Sequence, residues 1–259
     1  MKRLALLFLL FFVVLVGTGC SPEAYMKPID PQGGFWDRYF VFPLSWSLDQ
    51  MATWLGGSYG LSILVMTLII RIFILPLMIK QMQSSKAMQE LQPQLLQLQK
   101  KHKNDQQKLQ QEMMKLYQNN NVNPMMGCLP ILVQMPVLLA FYHAIMRNQE
   151  IKEHNFLWMD LGSADPIYVL PVLAAVATYV QAKMSQHFMP KPDTLSPQMK
   201  QQQQMMKMMV TIMPLMILFI AVTLPSALSL YWVYSNAFSI LQTYFISRTL
   251  YRKPVEGGA

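Results

Sequence analysis

A single arginine lies inside a long apolar stretch of this chain. Residues 61–79 are mostly aliphatic or aromatic, and Arg71 is their only charged residue. A cation near the middle of a membrane-spanning helix costs about 2.5–3.5 kcal/mol on insertion scales. No Asp or Glu lies within the stretch to neutralise it. Arg71 is therefore expected to face water, another helix or a passing substrate rather than lipid.

Neutral polar side chains recur in this and the other apolar stretches. Thr67 precedes Arg71 by four residues and shares its helix face. The remaining polar or amphipathic candidates are Gln134 in a second stretch, Thr178 and Gln181 in a third, and Ser229, Trp232, Asn236, Ser239 and Thr243 in the last. Together they line a hydrated groove or simply hydrogen-bond the helices, at about 0.6 kcal/mol each. Arg71 favours the groove, because packing alone does not require a charge.

The sequence contains no recognisable catalytic motif. It lacks HExxH, a P-loop, GxSxG and CxxC, and its four histidines are scattered. His143, inside an apolar stretch, is interpreted as a hydrogen-bonded interior residue. The apolar stretches hold no carboxylate, the group that proton-coupled transporters commonly use as a carrier. We therefore expect neither an enzyme nor a cofactor.

Composition and patterning indicate a polytopic membrane protein. Of 259 residues, 53% are hydrophobic and 13% are charged, whereas soluble domains carry about 25% charged residues. The apolar residues occur in blocks, which predicts an all-α bundle of five transmembrane helices. The expected spans are residues 59–79, 126–146, 167–183, 208–223 and 227–246.

The segments between these spans differ in character. Residues 80–124 are rich in Gln, Lys and Met, with apolar residues at helical spacing interrupted near Asp105. This pattern favours an antiparallel helical hairpin over a continuous coiled coil. Residues 147–166 and 184–207 are expected to be loops, and residues 247–259 form a basic tail.

The N-terminus is typical of an exported lipoprotein. Residues 1–19 combine a basic start with a short apolar core, as a signal peptide does. The small residue before Cys20 resembles a bacterial lipobox, which implies cleavage and attachment of lipid, palmitate included, at Cys20. The alternative is an uncleaved anchor helix. Within the following segment, residues 20–58, the aromatic part at 35–55 predicts either an amphipathic helix in the outer interface or an ordinary packed helix.

Charge distribution predicts the orientation. The hairpin, the second long loop and the tail together hold 14 of the 21 Lys and Arg residues but five acids. The other side holds four cations against eight acids. The positive-inside rule places the basic side in the cytoplasm and the mature N-terminus outside. The formal net charge of +8 thus reflects topology and attraction to lipid, and no nucleic-acid readout is expected.

Several motifs together resemble the YidC family of membrane protein insertases, in its five-span lipoprotein form from Gram-positive bacteria. They are the run after Arg71 through Pro76, Gln81–Met88, Leu91-Gln-Pro93, Asn123-Pro124, Gly127-Cys-Leu-Pro130, Gln134-Met-Pro136, Phe156–Leu161 and Pro225–Trp232 with Asn236. The resemblance covers nearly all of the mature chain, in order.

This resemblance implies an insertase and chaperone that acts on nascent membrane proteins, alone or beside the Sec translocon. It implies that Arg71 faces a hydrophilic groove open to cytoplasm and lipid, with Gln134 and Trp232 at other groove positions. It also implies that the hairpin receives substrates or contacts the ribosome and the signal recognition machinery. A transporter or channel is the alternative, and a structural lipoprotein scaffold is a third possibility.

Overall fold

The computed structural model describes residues 27–103, 105–123, 126, 129–186 and 197–251. The predicted signal peptide and Cys20 lie outside these residues. The helices are α1 Phe42–Trp54, α2 Tyr59–Glu90, α3 Gln92–Lys101, α4 Gln106–Asn119, α5 Leu129–Arg147, α6 Gln149–Glu153, α7 Val169–Gln186, α8 Pro197–Thr223 and α9 Ser226–Tyr251. A turn of π-helix, Asp37–Val41, precedes α1, and two strands, β1 Asn155–Phe156 and β2 Met159–Asp160, lie between α6 and α7. The expected all-α fold therefore also contains a short two-stranded β-hairpin.

Helix α2 carries Arg71 and starts at a well-defined turn. Gly56 and Gly57 have positive φ angles of 69° and 86°, which end α1. The Ser58 hydroxyl then accepts a hydrogen bond from the Leu61 backbone N–H at 3.4 Å and caps α2. Within the described residues, α2 is the one helix that is long and apolar enough to cross a membrane. Helices α5 and α8 contain shorter apolar parts.

Helix α9 lies at the centre of the bundle. It packs against α2 on one side and α7 on the other, and it also touches α5 and α8. Phe141 of α5 stacks on Tyr231 of α9, with their ring centroids 4.3 Å apart. Ile145 and Leu228 extend this buried core. A helix with neighbours on several sides can hydrogen-bond to several others, which matters for the site below.

The segment at residues 35–55 is helical and packs into the core. Val41, Leu44, Leu48 and Ala52 recur at helical spacing and are buried, mainly against α2. The other face exposes aromatic side chains, including Trp46 and Trp54. The segment therefore packs into the core with one face and exposes aromatic side chains on the other.

Two helices extend beyond the predicted spans into the neighbouring long segments. The first predicted span ends at residue 79, and helix α2 continues to Glu90, because most of the residues that follow, among them Gln, Met, Lys, Ala and Glu, favour helix. The loop expected over residues 184–207 is helical from Pro197 and continuous with α8. The turn expected at Leu224–Pro225 does separate α8 from α9.

The region from 80 to 124 contains the expected helix–turn–helix. The chain bends at Leu91, and Pro93 occupies the first turn of α3, where a proline is tolerated. The Asp105 carboxylate caps α4 by accepting from the Lys108 backbone N–H at 2.9 Å. Helices α3 and α4 pack against each other and contact the rest of the described chain mainly through the end of α2. The continuous coiled coil is therefore wrong.

Candidate functional site

Arg71 lies on the face of α2 that packs against α9. It is half-buried, and its Nη2 donates a hydrogen bond to the Ser235 hydroxyl. At 1.5 Å per residue, Arg71 is about 18 Å along the helix from Tyr59 and about 14 Å from Lys80. The cation therefore lies near the middle of the apolar part of α2.

A second hydrogen bond joins α5 to the same face of α9. The Gln134 Nε2 donates to the Tyr231 hydroxyl at 3.1 Å. Tyr231 and Ser235 are four residues apart and therefore share a face of α9. Two predicted site residues, Arg71 of α2 and Gln134 of α5, thus contact neighbouring positions on the same face of α9. We call Arg71, Gln134, Tyr231 and Ser235 the polar cluster.

The other predicted site residues are placed differently. Asn236 turns toward α7, where its Nδ2 donates to the Thr178 hydroxyl at 2.9 Å. Thr67 is buried, and its hydroxyl donates to the backbone carbonyl of Ile63 at 2.6 Å. That bond occupies its only proton, so Thr67 contributes packing next to the cluster rather than a donor within it.

Trp232 lines an apolar cavity instead of the polar cluster. The cavity has a volume of about 290 Å³ and lies between α5, α8 and α9. Its other lining residues are Leu138, Leu139, Tyr142, Ile220, Leu224, Leu228 and Tyr231. Tyr231 borders both regions, because it lines the cavity and its hydroxyl accepts the hydrogen bond from Gln134. Polar and apolar contact surfaces are therefore adjacent.

The charge of Arg71 has no carboxylate counter-ion within the described part of the chain. The ion pairs found there, which include Lys86–Glu90, Glu112–Lys115 and Arg147–Asp37, do not involve Arg71. A guanidinium has five N–H donors, and one partner is found for Arg71 among the described residues. The remaining donors are available to water or to a bound group. No set of three potential metal ligands occurs among these residues either.

Hydrogen bonds connect several elements at one end of the bundle. This capped end consists of residues 27–58 and 147–168. The Asn148 side chain donates to Ser45 and to Asp49, both at 2.8 Å, and the Tyr59 hydroxyl donates to Asp49 at 3.0 Å. The Ser62 hydroxyl donates to the Leu48 carbonyl at 2.6 Å. These hydrogen bonds connect α1 to the start of α2 and to the residue that follows α5.

An ion pair holds the beginning of the described chain to the same end. Arg147 donates to both carboxylate oxygens of Asp37, at 2.7 and 2.6 Å, and to the carbonyls of Lys27 and Pro28, each at 2.9 Å. The side chain of Arg147 is 5% exposed and that of Asp37 is 19% exposed. The hydrogen bond from Arg147 lowers the pKa of Asp37, against a smaller opposing effect of burial. Such bidentate pairs are strong and directional.

Sequence reasoning missed Tyr231 and Ser235. It assigned the polar stripe of the last helix to positions that include Trp232 and Asn236, one residue further along. Tyr231, Ser235 and Ser239 also recur at a spacing of four, so a signal was present. It could not be separated from the neighbouring stripe, because α9 carries polar residues on more than one face.

Comparison with known proteins agrees with the resemblance found in the sequence. The family model described as 60Kd inner membrane protein matches residues 50–253. The chain is 49% identical over 263 residues to Membrane protein insertase YidC 2 of Bacillus anthracis, which covers 100% of this chain and 98% of that protein. It is 49% identical over 250 residues to Membrane protein insertase MisCA of Bacillus subtilis, covering 95% and 91% respectively.

A solved structure shows the same relationship. It is that of an active YidC insertase with its first transmembrane domain resolved, and it matches with a TM-score of 0.56 and 27% identity. The match covers 82% of this chain and 47% of the other, so this chain spans about half the length of that insertase. With the family model and the two close relatives, this similarity shows that the chain belongs to the YidC family of membrane protein insertases.

Proposed function

We propose that this protein inserts integral membrane proteins into the bilayer and helps them fold, through a hydrophilic groove that carries Arg71. The observation that carries the proposal is the placement of that charge. It lies midway along an apolar helix, hydrogen-bonded to a hydroxyl and without a carboxylate among the described residues. The names of the relatives, membrane protein insertases, agree with this function.

The mechanism follows from the cost of moving polar groups through lipid. Measured along their helices from the capped end, Arg71, Gln134 and Ser235 lie at depths of about 14–20 Å. Because the proposed groove opens to the cytoplasm and is hydrated as far as these residues, a substrate's polar tail has only this remaining distance of apolar bilayer to cross, against about 30 Å for an intact hydrocarbon core. Arg71 then attracts acidic groups in the tail, while the apolar segment of the substrate moves past Trp232 toward lipid. Asn236 and Thr67 stabilise the helices that form the groove.

The proposed topology places the capped end outside the cell. Five spans, at residues 59–79, 126–146, 167–183, 208–223 and 227–246, then leave the C-terminal tail in the cytoplasm, as the charge distribution favours. The protein is located in the bacterial plasma membrane. Lipid attached to Cys20 anchors the mature N-terminus in the outer leaflet, seven residues before the Lys27 carbonyl that Arg147 holds.

The hairpin of α3 and α4 is the proposed reception site on the cytoplasmic side. Among the described residues, it contacts the other helices mainly through the end of α2, which leaves surface for partners. Nascent membrane proteins are the proposed substrates. The Sec translocon, the ribosome and the signal recognition machinery are proposed as the partners that deliver them.

A transporter or channel is the alternative function. Either would need a path through the capped end. The hydrogen bonds around Asn148 and Asp49 and the ion pair of Arg147 with Asp37 cross that end, which favours a groove closed on one side. An insertase needs no opening there, because its substrate leaves sideways into lipid.

Site-specific photocrosslinking tests the proposal. A photoreactive residue at position 71, 134 or 232 is expected to crosslink to a nascent single-span protein in membrane vesicles. Position 73 is the matched control, because Phe73 lies on α2 two residues from Arg71 and is largely exposed away from the bundle. Equal crosslinking from all four positions would indicate random collision in the bilayer and would contradict a groove.

A further inference from the structure

The turn between β1 and β2 is built from residues that do not suit it. Phe156 pairs with Met159, which leaves Leu157 and Trp158 as a two-residue loop. Such loops need positive φ angles and therefore favour Gly, Asn and Asp. Leu157 has a φ of 57°, a region that a large side chain rarely adopts. The chain thus accepts a conformational cost to place a leucine here.

A second large residue nearby has the same backbone conformation. Tyr168, with a φ of 58°, follows Ile167 just before α7. The two segments are joined by Asp165, whose Oδ1 accepts from the Trp158 indole N–H at 3.1 Å and from the Ile167 backbone N–H at 3.2 Å. Leu157, Trp158, Ile167 and Tyr168 therefore form one surface, which we call the apolar tip.

The apolar tip is exposed although its surroundings are firmly packed. Leu157 is 72% exposed, Trp158 44%, Ile167 57% and Tyr168 54%. On either side of the turn, the Phe156 ring lies so close to Gly60 that a Cβ there would be 2.1 Å from it, and Met159 is buried. The packing of Phe156 and Met159 therefore holds the tip in its exposed position.

The surroundings of the tip indicate what covers it. The exposed apolar residues continue directly from Tyr168 along α7, through Val169, Val172 and Val176. In a membrane-spanning helix, a face of this kind contacts lipid. Trp and Tyr at the end of such a face are typical of the boundary between headgroups and acyl chains. Asp165 satisfies the indole N–H of Trp158, so its ring enters that boundary without losing a hydrogen bond.

We propose that the apolar tip inserts into the headgroup boundary of the outer leaflet and anchors the capped end to phospholipid. Burial in lipid offsets the backbone cost at Leu157 and Tyr168. The anchor acts on the centre of the bundle, because the same loop binds the start of α9. The Ser226 N–H donates to the Ser163 carbonyl at 2.7 Å, and the Ala227 N–H to the Leu161 carbonyl at 3.2 Å. This inference rests on the membrane topology given under the proposed function.

Tryptophan quenching tests the proposal on the full-length protein in phospholipid vesicles. The emission of Trp158 is obtained as the difference between the unmodified protein and the Trp158→Phe variant. We expect lipids brominated in the acyl chain to quench this emission and aqueous iodide to leave it nearly unchanged. Leu157→Asn, whose new side chain tolerates a positive φ, should lose the lipid quenching and gain iodide quenching. Leu157→Gly should have the same effect on both kinds of quenching. Asn155→Ser, at an exposed position beside the tip, is the control and should change neither lipid quenching nor iodide quenching.

Two results would overturn the proposal. Iodide quenching of Trp158 in the unmodified protein would place the tip in water, and protection from both quenchers would place it against protein. Insertion of a single-span substrate is measured in the same vesicles. An active insertase whose Trp158 is quenched by iodide would refute the lipid anchor alone. Lipid quenching without insertion would refute the proposed function alone.

Discussion

Replacing Arg71 by alanine should impair the insertion of substrates whose translocated tails are acidic. The structure gives Arg71 a hydroxyl partner and no carboxylate among the described residues. Its charge therefore remains available to an acidic group on the substrate. Removing it deletes one attraction and leaves no buried carboxylate without a partner, so the fold should persist.

Coulomb's law sets the size of the effect. Two unit charges about 4 Å apart attract by about 1 kcal/mol in water and about 4 kcal/mol near a protein surface. A half-buried, hydrated guanidinium lies between these limits. An intermediate value of about 2.5 kcal/mol corresponds to about a 70-fold loss of insertion rate, since each 1.36 kcal/mol is tenfold. Arg71→Lys keeps the charge and should largely retain activity with the same substrate.

The assay compares the insertion rates of two substrates by each variant of the protein. A single-span protein with Asp residues in its translocated tail is inserted into vesicles beside a version in which those residues are Asn. Arg71→Ala should slow the acidic substrate far more than the neutral one, which isolates the charge–charge contribution. Phe73→Ala, on the exposed side of α2, is the control for local damage and should slow neither.

Two results would contradict a direct attraction between Arg71 and the substrate. Full activity of the Arg71→Ala variant would show that the charge is not used. An equal loss for acidic and neutral tails would show that Arg71 acts through the structure of the groove rather than through attraction to the tail. A melting temperature measured for each variant separates both results from simple unfolding.

Three further predictions concern other parts of the chain. Asp37→Asn should destabilise the capped end by about 3 kcal/mol, as breaking a buried ion pair does. Because Arg147 lowers the pKa of Asp37 from its usual value of 3.8, the stabilisation is present above pH 3.8 and is lost as the pH falls through the lower pKa of the folded state. An unchanged acid midpoint of unfolding in Asp37→Asn would contradict this prediction. Deleting Lys86–Lys115 should impair substrate reception yet leave a protease-resistant membrane core, since the hairpin has few contacts with the spans; loss of that core would be the contrary result. Mass spectrometry of the mature protein should find a lipid-modified Cys20 at its N-terminus, and an intact Met1 would exclude cleavage.

Local sequence features predicted much of the helical architecture. Apolar blocks marked the regions of α2, α5, α7, α8 and α9, and the polar break near Asp105 marked the hairpin. The ends of the predicted spans do not mark the ends of the helices, as the extension of α2 to Glu90 demonstrates. A change from apolar to polar residues marks where a helix leaves lipid, but it does not stop the helix when the polar residues themselves favour one.

For the site, the order of residues was enough to predict that one charge lies within an apolar helix and that no carboxylate lies in the apolar stretches. Those facts follow from composition along the chain and need no knowledge of neighbours. The contacts between helices were not predictable in this way: Arg71 bonds to Ser235 and Gln134 to Tyr231, whereas Trp232 lines the apolar cavity and Asn236 bonds to Thr178. The reason is rotational. Helical spacing states which residues share a face, but α9 is polar on more than one face, and the packing of α2, α5 and α7 around it determines which neighbour each face meets.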